Sequence, residues 1–222
     1  MRRIFLIICL LLVLVRLLSA ASKKVMVDSI AVNNQLLLLS FHAEEFIDEK
    51  IAEGLQKGLT STVEYQIQLW EKRGGLINNL VAQRELRMKI YFDNWEHKYV
   101  LLTPEEKRLT NSLATVKERC SVGQNVEIVP LAQLKEDRKY FITISLVLRP
   151  LSMENYQEIK NWLSGRARDF SLKDIDDTQQ QEKKLKGGLL KMFLTLTGFG
   201  DRVVSGQGAE FIIHQGVIER LK

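Results

Sequence analysis

The sequence predicts an α+β fold: a curved, mainly antiparallel sheet of about six strands with two or three packed helices, behind an N-terminal signal segment. Three observations carry this expectation. Runs in which apolar and polar residues alternate one by one recur through the middle of the chain, as half-buried strands require. No crossover helix separates the first three of these runs, which disfavours a parallel sheet. Around them, apolar residues recur at four-residue spacing, the period of an amphipathic helix.

The leading segment, Met1 to Ala21, has arginines at positions 2 and 3, an apolar run from Ile4 to Val15, and then the small residues Ser19, Ala20 and Ala21. That order is a secretory signal, and small side chains at Ser19 and Ala21 suit cleavage before Ser22. An uncleaved anchor is the competing reading, because Ile4 to Leu18, interrupted by Arg16, falls just short of the roughly 20 residues that span a bilayer. Either way the sequence predicts export, to the periplasm or to a membrane-attached position facing it. Cys9 follows Ile7 and Ile8 where a lipid-attachment site requires a small residue.

Charge follows the same division. The 222 residues hold 32 Lys+Arg and 27 Asp+Glu, a net +5. Removing Arg2, Arg3 and Arg16 with the leader leaves 29 basic against 27 acidic residues, or +2. The interleaved signs of that remainder argue against a nucleic-acid footprint, which needs Lys and Arg clustered on one face. Two cysteines exclude a disulfide framework, and three scattered histidines leave little for a metal centre.

The first element is a strand or hairpin over Ser22 to Ser40, turning at Asn33-Asn34. Ile47, Ile51 and Leu55 then predict a helix from Glu44 to Lys57, ended by Gly58. Alternation over Val63 to Leu69, over Leu86 to Phe92 and around Lys98 to Leu102 predicts an antiparallel meander. Thr103-Pro104-Glu105-Glu106 reads as a capping box opening a helix to about Arg119, with Leu109, Leu113 and Val116 inward. Val126 to Val129 and Tyr140 to Leu148 read as a further strand pair closed by Pro150. Ser152 caps a helix from Met153 to Leu163, ended by Gly165. Residues 22–165 thus make one α+β domain, and 166–222 comprise a polar linker, an amphipathic helix and a terminal strand at Phe211 to Ile213.

No motif in this chain specifies a reaction. Gly198-Phe199-Gly200 and Gly206-Gln207-Gly208 lack the third glycine and the strand-to-helix context of a phosphate loop. His42 with Glu44 and Glu45 lacks the second histidine of a helical zinc site, and the two acids fit the first turn of the following helix. Cys120 with His97 would need an orienting group and an oxyanion site. Cys120 fits equally a buried small apolar residue. The aromatics Tyr65, Trp70, Tyr91, Phe92, Trp95 and Tyr99 suit a ligand-lined sheet or an ordinary core.

The strongest functional pattern is at Lys183 to Thr197. Lys183, Lys184, Lys186 and Lys191 stand beside Leu189 and Phe193, and these six are the candidate membrane or partner contacts of an interfacial helix drawn to anionic lipid. A helix docked on the sheet with its lysines in water is the alternative. Gly187-Gly188 weakens either helix by about 1 kcal/mol per glycine.

Several runs taken in order carry a resemblance: Ala52-Glu53-Gly54-Leu55 and Gly58-Leu59 leading into Val63-Glu64-Tyr65-Gln66-Ile67, then Arg84-Glu85-Leu86 through Tyr91, Tyr99, and Tyr140-Phe141-Ile142 closing in Arg149-Pro150-Leu151. With the signal segment, the chain resembles the exported bacterial domain-of-unknown-function family 4390 over about Val25 to Leu163. The resemblance implies no activity and supplies no catalytic residues; genes of that family are described beside nitrogen-type sensor kinases. The expectation is an exported, non-enzymatic envelope module binding a protein partner or an apolar ligand, without metal, cofactor or nucleic acid. The alternatives are a membrane-surface protein held by residues 183–197 and an unrecognised hydrolase.

Overall fold

The computed structural model describes residues 24–75, 77–151 and 199–221. The leading segment, the helix expected from Met153 to Leu163, the linker, and Lys183, Lys184, Lys186, Leu189, Lys191 and Phe193 lie outside the described residues.

β1 (Val25–Asn33) and β2 (Leu36–Ala43) form the leading hairpin. Its turn falls one residue later than expected, at Asn34 and Gln35, whose φ angles of 48° and 62° match the twist of the strands they join. The helix that follows, α1 (Glu49–Gln56), is shorter than its periodicity predicts. Asp48 sets the start, its carboxylate accepting from the Ile51 amide at 3.1 Å, so Glu44 and Glu45 sit in the preceding loop and not in a first helical turn. At the other end Gly58 adopts φ 88°. The Gly58 amide reaches the Leu55 carbonyl and the Leu59 amide reaches Gly54, both at 2.9 Å, satisfying the last carbonyls.

β3 (Ser61–Glu71), β4 (Asn79–Asp93) and β5 (Lys98–Leu102) pair antiparallel in sequence order, as the alternation predicts. Thr103 to Glu106 then departs from expectation. It turns the chain into β6 (Lys107–Thr110), which pairs back on β5. Thr103 Oγ1 does accept from the Glu106 amide at 3.2 Å, the bond a capping box would use. Here, however, the Thr103 amide donates to the Glu106 carbonyl at 2.9 Å and closes a hairpin. The helix, α2 (Leu113–Ser121), starts later, with Ser112 as its N-cap; Val116 is buried as expected, whereas Leu109 lies exposed on β6.

β7 (Val122–Pro130) and β8 (Lys139–Arg149) are both strands, but they do not pair. β7 joins β2 in a three-stranded sheet ordered β1-β2-β7. β8 lies inside a larger sheet beside β3. Its other edge takes β9 (Arg202–Gln207) along Thr143 to Leu148 and then β10 (Phe211–His214) at Lys139 and Tyr140. β11 (Val217–Arg220) closes the sheet as a hairpin with β10. The large sheet therefore has eight strands, so the described residues form two antiparallel sheets with two α-helices in place of one sheet of about six strands.

Both helices carry the chain between sheets, α1 from β2 to β3 and α2 from β6 to β7. One core joins the layers: Leu37, Leu39 and Phe41 of β2 with Val63, Tyr65 and Ile67 of β3 and Ile142, Ile144 and Leu146 of β8. The Phe41 and Tyr65 rings meet at 4.9 Å between centroids. At Gly206 the β1 backbone crosses β9 so closely that a Cβ would overlap the Val25 carbonyl. β1 therefore packs on the face of β9 that carries Gly206 and Gly208.

Candidate functional site

The outer face of the large sheet is built by strand register. Alternate residues of β3 point to the core, and those between them, Glu64, Gln66, Gln68 and Trp70, point away. Pairing sets each beside a defined neighbour. Gln66 lies between Glu85 of β4 and Ser145 of β8, with Ser205 of β9 next in line. Gln68 lies between Gln83 and Thr143, with Gln207 beyond. These two transverse rows, amides and hydroxyls apart from the Glu85 carboxylate, are half-buried at Gln66, Gln68, Thr143 and Ser145 and exposed at both ends, at Gln83 and Glu85 and at Ser205 and Gln207. Trp70 flanks one end, its ring 6.5 Å from Phe141 at 12° and its indole N–H donating to Thr143 Oγ1 at 3.1 Å.

Charge flanks the other end. Glu64 is 4% exposed. Arg149 Nη1 donates to its Oε2 at 2.5 Å, Gln66 Nε2 donates to Oε1 at 3.0 Å, and Arg87 stands at 3.6 Å. The Arg149 hydrogen bond outweighs burial and holds the Glu64 carboxyl below its usual range. Glu64 is thus a fixed anion, without the raised affinity for a proton that a general acid needs. A groove of about 950 Å³ runs from these rows around β9, bounded by Lys24 to Val27 of β1 and by Val203 to Ala209.

Residues 24–154 match the family model described as Domain of unknown function (DUF4390). The chain belongs to the DUF4390 family. No curated protein and no solved structure matches it. The DUF4390 match covers the runs that carry the resemblance; Val63 to Ile67, Arg84 to Tyr91 and Tyr140 to Arg149 lie in β3, β4 and β8, which are adjacent in the large sheet. Ser205 and Gln207, which finish the outer rows, come from beyond the DUF4390 match.

The other groups singled out by sequence are dispersed. Cys120 is buried on α2, its thiol pushed up to about 12 by desolvation, while His97 lies in the exposed β4–β5 turn at φ 52°. His42 Nδ1 meets Asp28 Oδ1 at 2.5 Å, Glu44 accepts from the Lys24 amide and Glu45 pairs with Lys117, so these three side chains turn to different partners. Among the described residues no three His, Cys, Asp or Glu could hold a metal ion together. His214 also meets a carboxylate, Asp137 at 2.9 Å, whose hydrogen bond raises the imidazole pKa. Neither His–Asp pair was visible in the sequence, because Asp28 lies in a β-bulge and Asp137 in a loop 77 residues from His214. The outer rows were missed for a similar reason: alternation marks Gln66 and Gln68 as outward, but only register places Ser145 and Ser205 beside them.

Proposed function

We propose that this DUF4390 protein is an exported envelope module that works by binding a protein partner, without catalysis. The observation that supports this reading is the outer face: Gln66, Gln68, Thr143, Ser145, Ser205 and Gln207 in two rows, continuous with the groove at the β9 edge. The two rows lie two residues apart along each strand, about 7 Å, the interval at which an extended polypeptide repeats its groups on one side, so this polar face suits a polypeptide better than an apolar ligand. The hydrolase alternative loses its thiol to the core at Cys120. A photoreactive residue at Ser205 tests the reading in cells, with one at exposed Asn33 as comparison. The expected result is a discrete adduct from position 205 alone, lost when Ser145→Arg fills the face. No adduct from 205, or the same adducts from both positions, overturns it.

A second reading, a membrane-surface protein held by residues 183–197, is favoured by the four lysines beside Leu189 and Phe193. It is tested by vesicle flotation with and without that segment, and equal flotation sinks it.

A further inference from the structure

α1 lies across one end of the molecule, and its neighbours identify what else is there. Its N-cap Asp48 accepts from Arg202 Nη1 at 2.7 Å. Gly54 faces the ring of Phe199, Gln56 Nε2 donates to the Tyr99 hydroxyl at 3.1 Å, and Gly58 faces Asn94. Strand pairing agrees. Ser61 opposes Ile90, Thr62 opposes Arg149, and Leu148 opposes Arg202. The start of β3, the end of β8, the start of β9 and the β4–β5 turn therefore share this end.

Trp95 tops that turn with 93% of its surface exposed. The turn is held from within: Asp93 Oδ1 accepts from the Trp95 amide at 2.9 Å and from the Glu96 amide at 3.1 Å. An indole presented almost bare on a hydrogen-bonded turn combines a broad apolar ring with one N–H donor. That combination suits the boundary between water and hydrocarbon, where Trp concentrates. Nearby charges largely offset one another, Lys98 with Glu96 at 3.4 Å, Lys57 with Glu53 at 3.7 Å, and the unbridged Asp93 carboxylate with the field of Lys107, so little net charge opposes an anionic surface.

The chain outside the described residues is attached at the same end. It leaves after Leu151 and re-enters at Phe199. Gly54, which faces Phe199, and Gly58, which faces Asn94, are drawn together by the Leu59 amide bonding the Gly54 carbonyl at 2.9 Å. Lys191 and Phe193 precede Phe199 by eight and six residues, and six residues reach at most about 21 Å.

We infer that the Trp95 turn is a membrane-contacting tip, its indole entering the interface of an anionic bilayer beside the point where the lysine-bearing stretch rejoins the fold. This rests on the membrane-surface reading above and adds a contact outside residues 183–197. The test is flotation of the chain from Ser22 onward, which holds every described residue, with phosphatidylethanolamine–phosphatidylglycerol vesicles. Trp95→Ser should weaken partitioning about tenfold, as the loss of one buried aromatic side chain implies. Trp95→Phe should retain most of it. Ile77→Ser, which alters an 81% exposed residue at the opposite end, should change nothing. If Trp95→Ser floats like the parent while deletion of 183–197 abolishes flotation, the inference fails and the membrane reading stands. If the parent does not float, both fail. If Trp95→Ser instead removes a co-purifying protein from a parent that does not float, the tip is a protein contact and the inference is overturned.

Discussion

Glu64 shows how one side chain can be fixed without being reactive. Arg149 holds its carboxyl below the ordinary value of 4.5, so the folded state gains stability above 4.5 and loses it as pH falls through the lowered folded value. Glu64→Gln should cost about 2 kcal/mol at pH 7, since a buried charged hydrogen bond is lost and Arg149 is left without its closest acceptor. Urea denaturation of the two chains between pH 7 and pH 3 should show the difference shrinking as wild-type Glu64 protonates; a constant difference would refute the assignment. Cys120 makes the opposite case, a reactive side chain made inert. In a Cys9→Ser chain at pH 8, a maleimide should label Cys120 only as fast as the protein unfolds, because the thiol is buried and its pKa stands near 12. Stoichiometric labelling of the native protein within the mixing time would show an open site.

Among the elements, β9 depends on a close approach. Gly206 packs against the Val25 carbonyl, a backbone atom that cannot swing aside. Gly206→Ala should therefore cost about 3 kcal/mol, the upper end of ordinary overpacking, and thermal unfolding of the purified variant measures it. A midpoint equal to wild type would mean that β1 and β9 are separable. Gly206 also explains part of what the sequence could not reveal. Glycine lowers strand propensity, so β9 carries no strand signal, although β8 supplies it with a complete antiparallel partner. β3, β4 and β5 were legible because each must hide one face, which imprints a two-residue period. β7 and β8 were legible as strands but not as members of different sheets, since alternation records a face and not a neighbour. Thr103 to Glu106 was misread because a threonine hydroxyl accepting from the third amide onward serves a helix start and a hairpin turn alike. Pairing of β5 with β6 decides between them, and that information lies in the tertiary contacts. The outer rows have the same limit, for Gln66 and Ser145 are neighbours only after β3 and β8 have met.

For the whole molecule, the DUF4390 match and the packed body do not coincide. The match ends at residue 154, yet Phe211 is fully buried with its ring 5.9 Å from Tyr140. A chain ending at 154 should lose cooperative unfolding and elute as aggregates, because β8 would keep an open edge beside an uncovered core. A monomeric truncation with a sigmoidal urea transition would contradict this. The late partners of β8 also put a clock on biosynthesis. About 70 residues separate the end of β8 from the end of β11, and a ribosome adding 5–20 residues each second needs roughly 4–14 s for them. Throughout that interval a hydrophobic strand waits with one side unpaired, so the nascent chain is a natural client for any chaperone that shields extended segments.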